Sequence, residues 1–419
     1  MSPGPRKSTG KSKVVGLGCG PRMVGPSMLR ARHSSRTTLP RAVLFTVALC
    51  LAGTGPTASL VLAQTARPDR VNWVNPRGMI TTDTGTITKN SLDKVVIDLG
   101  RNEKSIDSKK VRSVAFGAVP PSFNEGVAYF DRRSFENAAK AFQVAAGDGS
   151  AREFVKARAR LSAAEAYLLH GATDPAAFAL ARAELETFIE DHKDNRELPS
   201  ARRLLGRAQR LAGEAAAAAA TYDALYREAS TGTEGYPLKT CLYGGLGAAE
   251  AYIAAGNPNK ARDLYLDLES AATSGLADLD ERSPDRRDFV LLLNEARLGE
   301  GFCLLARASI SQARTFFNGR LSGANGNAPL RHGARLGLAE ALLAEGKVRE
   351  AQIEFAQVSA IDHTDRDRVA RALVGLAQCS LKLSDKGAHA SAKRSLETVR
   401  DRYGDTPSVL RAQELLQTL

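Results

Sequence analysis

The sequence predicts a mainly α-helical protein: an α-solenoid of stacked helix hairpins, preceded by a small all-β, barrel-like module and a disordered, basic leader. Three observations support this prediction. Seven alanines recur across residues 122–419 at intervals of 37 to 52 residues, each followed four positions later by a large apolar residue. Residues 69–119 consist of short β-branched runs separated by turn residues. Residues 1–64 are basic and carry an apolar segment before their end.

The positive charge of the chain lies in the leader. The formal net charge is +12, but residues 1–68 hold ten Lys or Arg and no Asp or Glu, which leaves 48 basic and 46 acidic residues for the rest. The folded part is therefore nearly neutral, and its charge gives no reason to expect a nucleic-acid partner. With 25% charged and 43% hydrophobic residues, the composition is that of a globular protein and excludes collagen, a disordered chain or a polytopic membrane protein.

The leader has the physical signature of an export signal. A basic segment precedes an apolar region at about 42–63, and Val61 and Ala63 supply the small residues expected before a cut after Ala63. The alternative is an uncleaved membrane anchor, since about 20 apolar residues suffice to span a bilayer. Glycine and proline in 53–56 argue against a stable spanning helix. We expect an exported protein of the periplasm or cell envelope, with membrane contact only through this segment if it stays attached.

The β module is predicted at 69–119, with four or five strands. Alternating runs occur at 70–74, 84–88, 94–100 and 111–116. The spacing resembles the small SH3-like or Sm-like barrels that precede helical repeats in some exported bacterial proteins. Such barrels can bind single-stranded nucleic acid through aromatic platforms, for which Trp73 and Phe116 are the candidates, although both are equally explicable as core.

The helical part repeats itself without any need for alignment. The first helix of each unit is defined by similar segments, such as Ala248-Ala249-Glu250-Ala251-Tyr252 and Leu338-Ala339-Glu340-Ala341-Leu342. The recurring alanines define the second helix. The seven pairs of alanine and large apolar residue are Ala138/Phe142, Ala181/Leu185, Ala218/Tyr222, Ala261/Tyr265, Ala313/Phe317, Ala351/Phe355 and Ala392/Leu396. A small residue lets the neighbouring helix approach, and the large residue fills the space one turn later. Gly213, Gly256 and Gly346 are expected in left-handed turns between the two helices.

This pattern resembles the tetratricopeptide repeat, with the first unit carrying Gly126, Tyr129, Ala138 and Phe142 in the family's positions. The intervals exceed the family's 34-residue period, so connections such as 271–287 are expected as loops or longer helices. The resemblance implies a right-handed solenoid of about seven repeats over 122–419, with a C-terminal capping helix at 408–419. It also implies a concave groove lined by the first helices, which would bind a protein or peptide.

Few residues point to chemistry. Cys241, Cys303 and Cys379 are odd in number and widely spaced, and they are best explained as small buried residues. No histidine or carboxylate spacing indicates a metal site, and no nucleophile motif occurs. We therefore expect no catalytic residues, no cofactor, no metal and no small-molecule substrate.

The candidate binding residues lie on the groove face that the resemblance assigns to first helices. A cluster of guanidinium groups there could hold a carboxylate or an acidic peptide, but we favour salt bridging between neighbouring units, such as Arg207 to Glu165 or Glu250. The candidates are Arg203, Arg207, Arg210, Glu165, Glu250 and Glu340.

The sequence therefore predicts a non-enzymatic protein–protein interaction scaffold of the cell envelope. It would bind a protein or peptide partner in the concave groove. The alternative is that the β module binds a glycan or nucleic acid and that the repeats act as a spacer.

Overall fold

The computed structural model describes residues 67–419 except 232, 234, 363, 364 and 384. The expected export signal and its cleavage after Ala63 lie outside these residues. Within the described ranges, no helix is both long enough and apolar enough to cross a membrane.

Five antiparallel strands form the N-terminal sheet in the order β4-β3-β2-β1-β5. The strands are β1 (Asp69–Val74), β2 (Ile80–Asn90), β3 (Lys94–Asp98), β4 (Glu103–Asp107) and β5 (Val111–Ala115). The long β2 pairs with β1 through its first half and with β3 through its second half, and the register shifts between Ile87 and Lys89. Such an irregularity bends a strand, so both halves enclose one small core around Val71, Val95 and Ile97. The short strand predicted at 84–88 is thus part of a longer bent strand.

Fifteen helices follow among the described residues, and they form seven hairpins and one additional C-terminal helix. The mainly helical fold is therefore confirmed, whereas its handedness stays a prediction. The helices are α1 (Pro121–Asp131), α2 (Phe135–Ala146), α3 (Glu153–His170), α4 (Ala177–Asp191), α5 (Leu198–Leu211), α6 (Ala215–Ser230), α7 (Leu238–Ala254), α8 (Pro258–Ala277), α9 (Arg286–Ala306), α10 (Ile310–Gly323), α11 (Ala328–Ala344), α12 (Val348–Ile361), α13 (Arg366–Leu383), α14 (Ala388–Arg402) and α15 (Ser408–Gln417).

The recurring alanines explain how the hairpins pack. All seven lie on second helices, which are α2, α4, α6, α8, α10, α12 and α14, and all seven have zero exposure. Tyr222, the large residue one turn after Ala218, is enclosed by glycines of the flanking first helices. A Cβ added at Gly206 or Gly247 would lie 2.7 or 2.9 Å from the Tyr222 ring. The small-to-large spacing therefore sets the distance between successive hairpins.

The turns inside the hairpins have the predicted geometry. Gly213, Gly256 and Gly346 have φ values of 81°, 77° and 79°, in the left-handed region that glycine occupies without strain. The corresponding turns of the first and fifth hairpins place Arg133 and Ala308 in that region, with φ values of 60° and 56°.

The sheet is attached to the helical array by buried charge. Both Nη atoms of Arg152, just before α3, contact the Asp69 carboxylate, at 2.6 and 2.8 Å. The Asp69 carboxylate also accepts hydrogen bonds from the main-chain N–H groups of Ile87 and Gly117. A second ion pair joins Arg112 of β5 to Asp285, which precedes α9. Residues from distant hairpins thus hold the sheet in place.

The C-terminal end of the helical array contacts its N-terminal hairpins. Helix α15 forms where the sequence predicts a cap, but it also packs against the first hairpins, which a terminal cap does not do. Its Val409 belongs to the buried core of α2–α5, and the Gln413 amide donates a 2.8 Å hydrogen bond to the Ala172 carbonyl. Each hairpin of a solenoid adds a small rotation to the last. Seven of them are enough here to bring the two ends of the array into contact.

Candidate functional site

The first helices of successive hairpins pack against one another, from α3 through α5, α7, α9 and α11 to α13. We call the surface on which their charged side chains meet the inner face. Its ion pairs cross from one hairpin to another: Arg210 to Glu250, Arg371 to Glu340, and Arg368 to Glu295. These pairs are partly shielded from water, so removal of one partner would leave the other charge poorly compensated.

Each of the six predicted candidates lies on these first helices. Arg210 pairs with Glu250 at 2.5 Å, and Glu165 pairs with Arg158 of its own helix at 3.2 Å. Glu340 pairs with Arg371 at 2.8 Å.

Arg207 does not form the expected ion pair with Glu165 or Glu250. Its guanidinium instead contacts both the side chain and the main-chain oxygen of Asp405, in the segment that leads into α15. The reason is the closure of the array, which brings Asp405 of the C-terminal segment within hydrogen-bond distance of Arg207.

Arg203 differs from the other candidates. In the described part of the chain it has no ion pair, and it is half-buried. Burial and the adjacent Arg207 lower the pKa of Arg203. A half-buried guanidinium without a carboxylate partner is costly in the absence of a ligand, which makes Arg203 the candidate most available to a partner.

A cavity of about 510 Å³ opens on the inner face between α5, α7, α9, α11, α13 and the start of α15. One part of its wall is apolar, with Leu246, Ile253, Tyr265, Phe302 and Leu305. The charged part consists of Arg210, Glu250, Glu295, Glu340, Asp367 and Arg371. Its size and mixed lining are those of a binding pocket.

A second cavity, of about 410 Å³, continues the first along α11 and α13. The two share Glu340, Arg371 and Ser408, and the second adds apolar contacts from Leu343, Phe355 and Val374. The N-terminal end of α15 lies at the boundary of both cavities. The predicted concave groove is therefore narrowed at this place by the chain's own last helix.

Two carboxyl groups of the larger cavity have raised pKa values. Burial, opposed by Arg368, raises the pKa of Glu295 to about 7. Burial and then the like charge of Glu250 raise the pKa of Asp367 to about 6, against the opposing effect of Arg371 and Arg210. Asp367 has no ion pair in the described part of the chain, and its side chain receives a 3.5 Å contact from the Ser408 hydroxyl. The cavity therefore holds more negative charge than its arginines neutralise.

The cysteines are positioned as structural residues. Cys241, Cys303 and Cys379 are free and buried. Burial raises the pKa of the Cys241 thiol to about 12 and the pKa values of the other two to about 11. These thiols stay protonated near neutral pH and are poor nucleophiles. Within the described residues, no cluster of three or more His, Cys, Asp or Glu is arranged to hold a metal ion.

The two aromatic residues of the sheet are engaged within the protein. The Trp73 indole donates to Asp83 at 2.7 Å, and the Lys104 ammonium lies 4.4 Å from the centre of its ring. Phe116 packs against Phe154 of α3, with ring centres 5.2 Å apart. Both aromatic residues therefore make contacts within the folded protein.

Sequence reasoning missed Glu295, Phe302 and Arg371, although a signal for them exists. The position of Glu165, Glu250 and Glu340 is occupied in the fifth hairpin by Phe302, whose ring lies 4.7 Å from the Arg371 guanidinium. Residues seven positions earlier lie on the same helix face. Comparing that earlier position across the repeats would have identified Arg158, Glu295 and Arg371.

No protein-family model matches the sequence, and no curated protein matches it. Among solved structures, the chain is similar to a tetratricopeptide repeat protein from Parabacteroides merdae, with 14% identity, a TM-score of 0.44, and coverage of 71% of this chain and 96% of that one. It is also similar to NprR in complex with its cognate peptide NprX, with 10% identity, a TM-score of 0.38, and coverage of 71% and 83%. The repeat architecture itself rests on the chain's own helix pairs.

Proposed function

We propose that this chain is an exported, non-enzymatic scaffold of the cell envelope that binds a protein partner along the inner face of its helical array. The observation that carries the proposal is the pair of adjoining cavities, of about 510 and 410 Å³, on the face where the charged side chains of six first helices meet. Repeat proteins build extended binding surfaces in this way. NprR, one of the structural neighbours, holds a peptide.

The partner segment is an extended peptide rather than a helix. Pro407 and Ser408 at the start of α15 form part of the wall of the larger cavity. A helix is about 10 Å wide with its side chains, whereas an extended strand presents single side chains to successive pockets. The narrowed groove favours the strand.

Cross-linking from the inner face tests this function. A photoreactive residue placed at Arg203 should form an adduct with one defined protein in an extract of the producing cells. The matched control is Arg202, which is adjacent on α5 but contacts Glu228 of α6 at 2.9 Å and so points away from the inner face. Equal adducts from both positions, or none from Arg203, would contradict binding at the inner face.

Export is proposed from the leader. The apolar region at about 42–63 and the small residues Val61 and Ala63 support a cut after Ala63. Fractionation combined with N-terminal sequencing should find a mature chain that begins at Gln64 in the envelope fraction. A chain that retains residues 42–63 and sediments with membranes would support the uncleaved anchor instead.

A further inference from the structure

The larger inner-face cavity combines an acidic part and an apolar part in a way that specifies a ligand. Its carboxyl groups come from four first helices: Glu250 of α7, Glu295 of α9, Glu340 of α11 and Asp367 of α13. The apolar wall comes from α7 and α9, through Leu246, Ile253, Phe302 and Leu305. A ligand that fits both must be cationic at one end and aliphatic along its length.

The arginines around the cavity neutralise only part of its acidic charge. Arg210 is engaged by Glu250, and Arg371 is engaged by Glu340. The remaining guanidinium, on Arg368, is 3% exposed and is shared among Glu295, Asp362 and Asp365. Asp367 is left with the Ser408 hydroxyl at 3.5 Å. The lining itself therefore holds four carboxyl groups and two guanidinium groups, and Arg368 behind it is shared with two further carboxylates.

Two negative and two positive groups face Asp367. Glu250 on α7 and Asp365, just before α13, repel its charge, whereas Arg210 on α5 and Arg371 on α13 attract it. Burial, followed by the like charge of Glu250, raises the pKa of Asp367. An added cation at this place would favour the charged form of the Asp367 carboxyl group, which burial disfavours.

We propose that the larger cavity is a recognition pocket for a lysine side chain of the bound partner segment. This assignment rests on the proposed function, since it names the side chain that the groove reads. The ammonium group lies among Glu250, Glu295 and Asp367, and the four-carbon stem packs against Ile253, Phe302 and Leu305. Lysine suits this arrangement better than arginine because a compact ammonium with three rotatable donors can meet carboxylates that arrive from different helices.

The test uses the full chain and four synthetic probes in calorimetric titrations. Three are acetylated, amidated pentapeptides of the form Gly-Leu-X-Leu-Gly, with lysine, norleucine or glutamate at X, and the fourth is n-butylamine. The lysine peptide should bind at least about tenfold more tightly than the norleucine peptide, which keeps the stem and removes the charge, and the glutamate peptide should bind more weakly still. n-Butylamine should bind at least about tenfold more weakly than the lysine peptide, because it lacks the flanking residues.

Two variants and one control assign the effect to the cavity. Glu250→Gln and Asp367→Asn should each reduce the preference for lysine over norleucine by about fivefold or more, while binding of the norleucine peptide stays within twofold. Glu269→Gln is the control, since Glu269 pairs with Arg297 at 3.0 Å and does not line the cavity. The ratio between two peptides on one protein is insensitive to the amount of folded chain, so a partly unfolded variant still gives a valid answer.

The remaining outcomes overturn the assignment. Equal binding of the lysine and norleucine peptides, a preference for glutamate, or butylamine binding as tight as the peptide would each exclude a lysine pocket. The absence of binding by any probe would also exclude it, while cross-linking from Arg203 would still decide whether the inner face binds a partner. Failure of both experiments would exclude the proposed function itself.

Discussion

Arg207 on α5 donates a 2.8 Å hydrogen bond to the Asp405 carboxylate, across 198 residues of sequence. The same carboxylate accepts a 2.9 Å hydrogen bond from Arg366, at the start of α13. One aspartate thus joins the third hairpin, the seventh hairpin and the segment before α15. This contact closes the helical array and fixes the position of α15 at the edge of the inner-face cavities.

Replacing Asp405 tests the closure. Asp405→Asn should lower the free energy of unfolding by about 1–3 kcal/mol, because it leaves two guanidinium groups without their carboxylate. Urea denaturation measures the change. The control, Asp385→Asn, removes an exposed pair with Arg349 and should stay within about 0.5 kcal/mol of the wild type. Closure would lose its support if the two variants were equally stable.

The attachment of the sheet has its own pH dependence. Burial opposes ionisation of Asp69, but hydrogen bonds from Arg152, Ile87 and Gly117 outweigh it and lower its pKa. A folded-state pKa below the unfolded value gives stability that is present above the unfolded pKa and is lost as the pH falls through the folded one. Asp69→Asn should therefore cost about 2–4 kcal/mol at pH 7.

This difference between wild type and Asp69→Asn should shrink as the pH falls below the unfolded value of 3.8. Thermal unfolding followed from pH 7 to pH 3 provides the measurement. A difference that stayed constant over that range would show that the carboxylate charge does not carry the attachment.

Ionisation of Glu295 should lower the stability of the fold, which is opposite to the effect of ionising Asp69. Burial, opposed by Arg368 and assisted by Asp365 and Glu250, raises its pKa to about 7. An acid whose folded pKa lies above its unfolded value loses stability as the pH rises between the two values. Glu295→Gln removes this titration, so the stability of the variant relative to wild type should increase by about 1–3 kcal/mol from pH 4.5 to pH 7.5. Urea denaturation of both proteins at the two pH values measures this change. If the free-energy difference between variant and wild type is the same at both pH values, the pKa of Glu295 is not raised.

The spacing between hairpins depends on glycines that face aromatic rings. A Cβ added at Gly337 of α11 would lie 2.2 Å from the Phe317 ring of α10. Gly337→Ala should therefore destabilise the protein by about 1–3 kcal/mol through overpacking. Gly319→Ala is the matched control, because the added Cβ meets nothing within 4 Å and alanine favours the helix by about 0.5–1 kcal/mol. Opposite signs of the two changes in melting temperature are expected, and two changes of the same sign would contradict the packing account.

The sequence was sufficient to predict the repeats because their cause is local. Ala138 and Phe142, four residues apart, lie on one helix face, and the same spacing at all seven second helices produces the same packing. The left-handed turns at Gly213, Gly256 and Gly346 follow from single residues in the same way.

Closure and the acidic cavity could not be predicted by this route. Closure depends on small rotations accumulated over seven hairpins, which no single residue reports, so the partner of Arg207 was misassigned. The cavity brings together Glu295 and Asp367, which do not occupy the recurring position of Glu165, Glu250 and Glu340. Local patterns locate the inner face, whereas the charges that meet across it depend on the complete array.

The most direct test of inner-face binding is hydrogen exchange of the full chain with and without the captured partner or the lysine peptide. We predict added protection at residues 246–254 of α7, 295–306 of α9, 366–371 of α13 and 407–411 at the start of α15. The sheet at 69–115 should be unchanged. Protection confined to the sheet, with no change in these four segments, would contradict the account and favour the β module as the binding element.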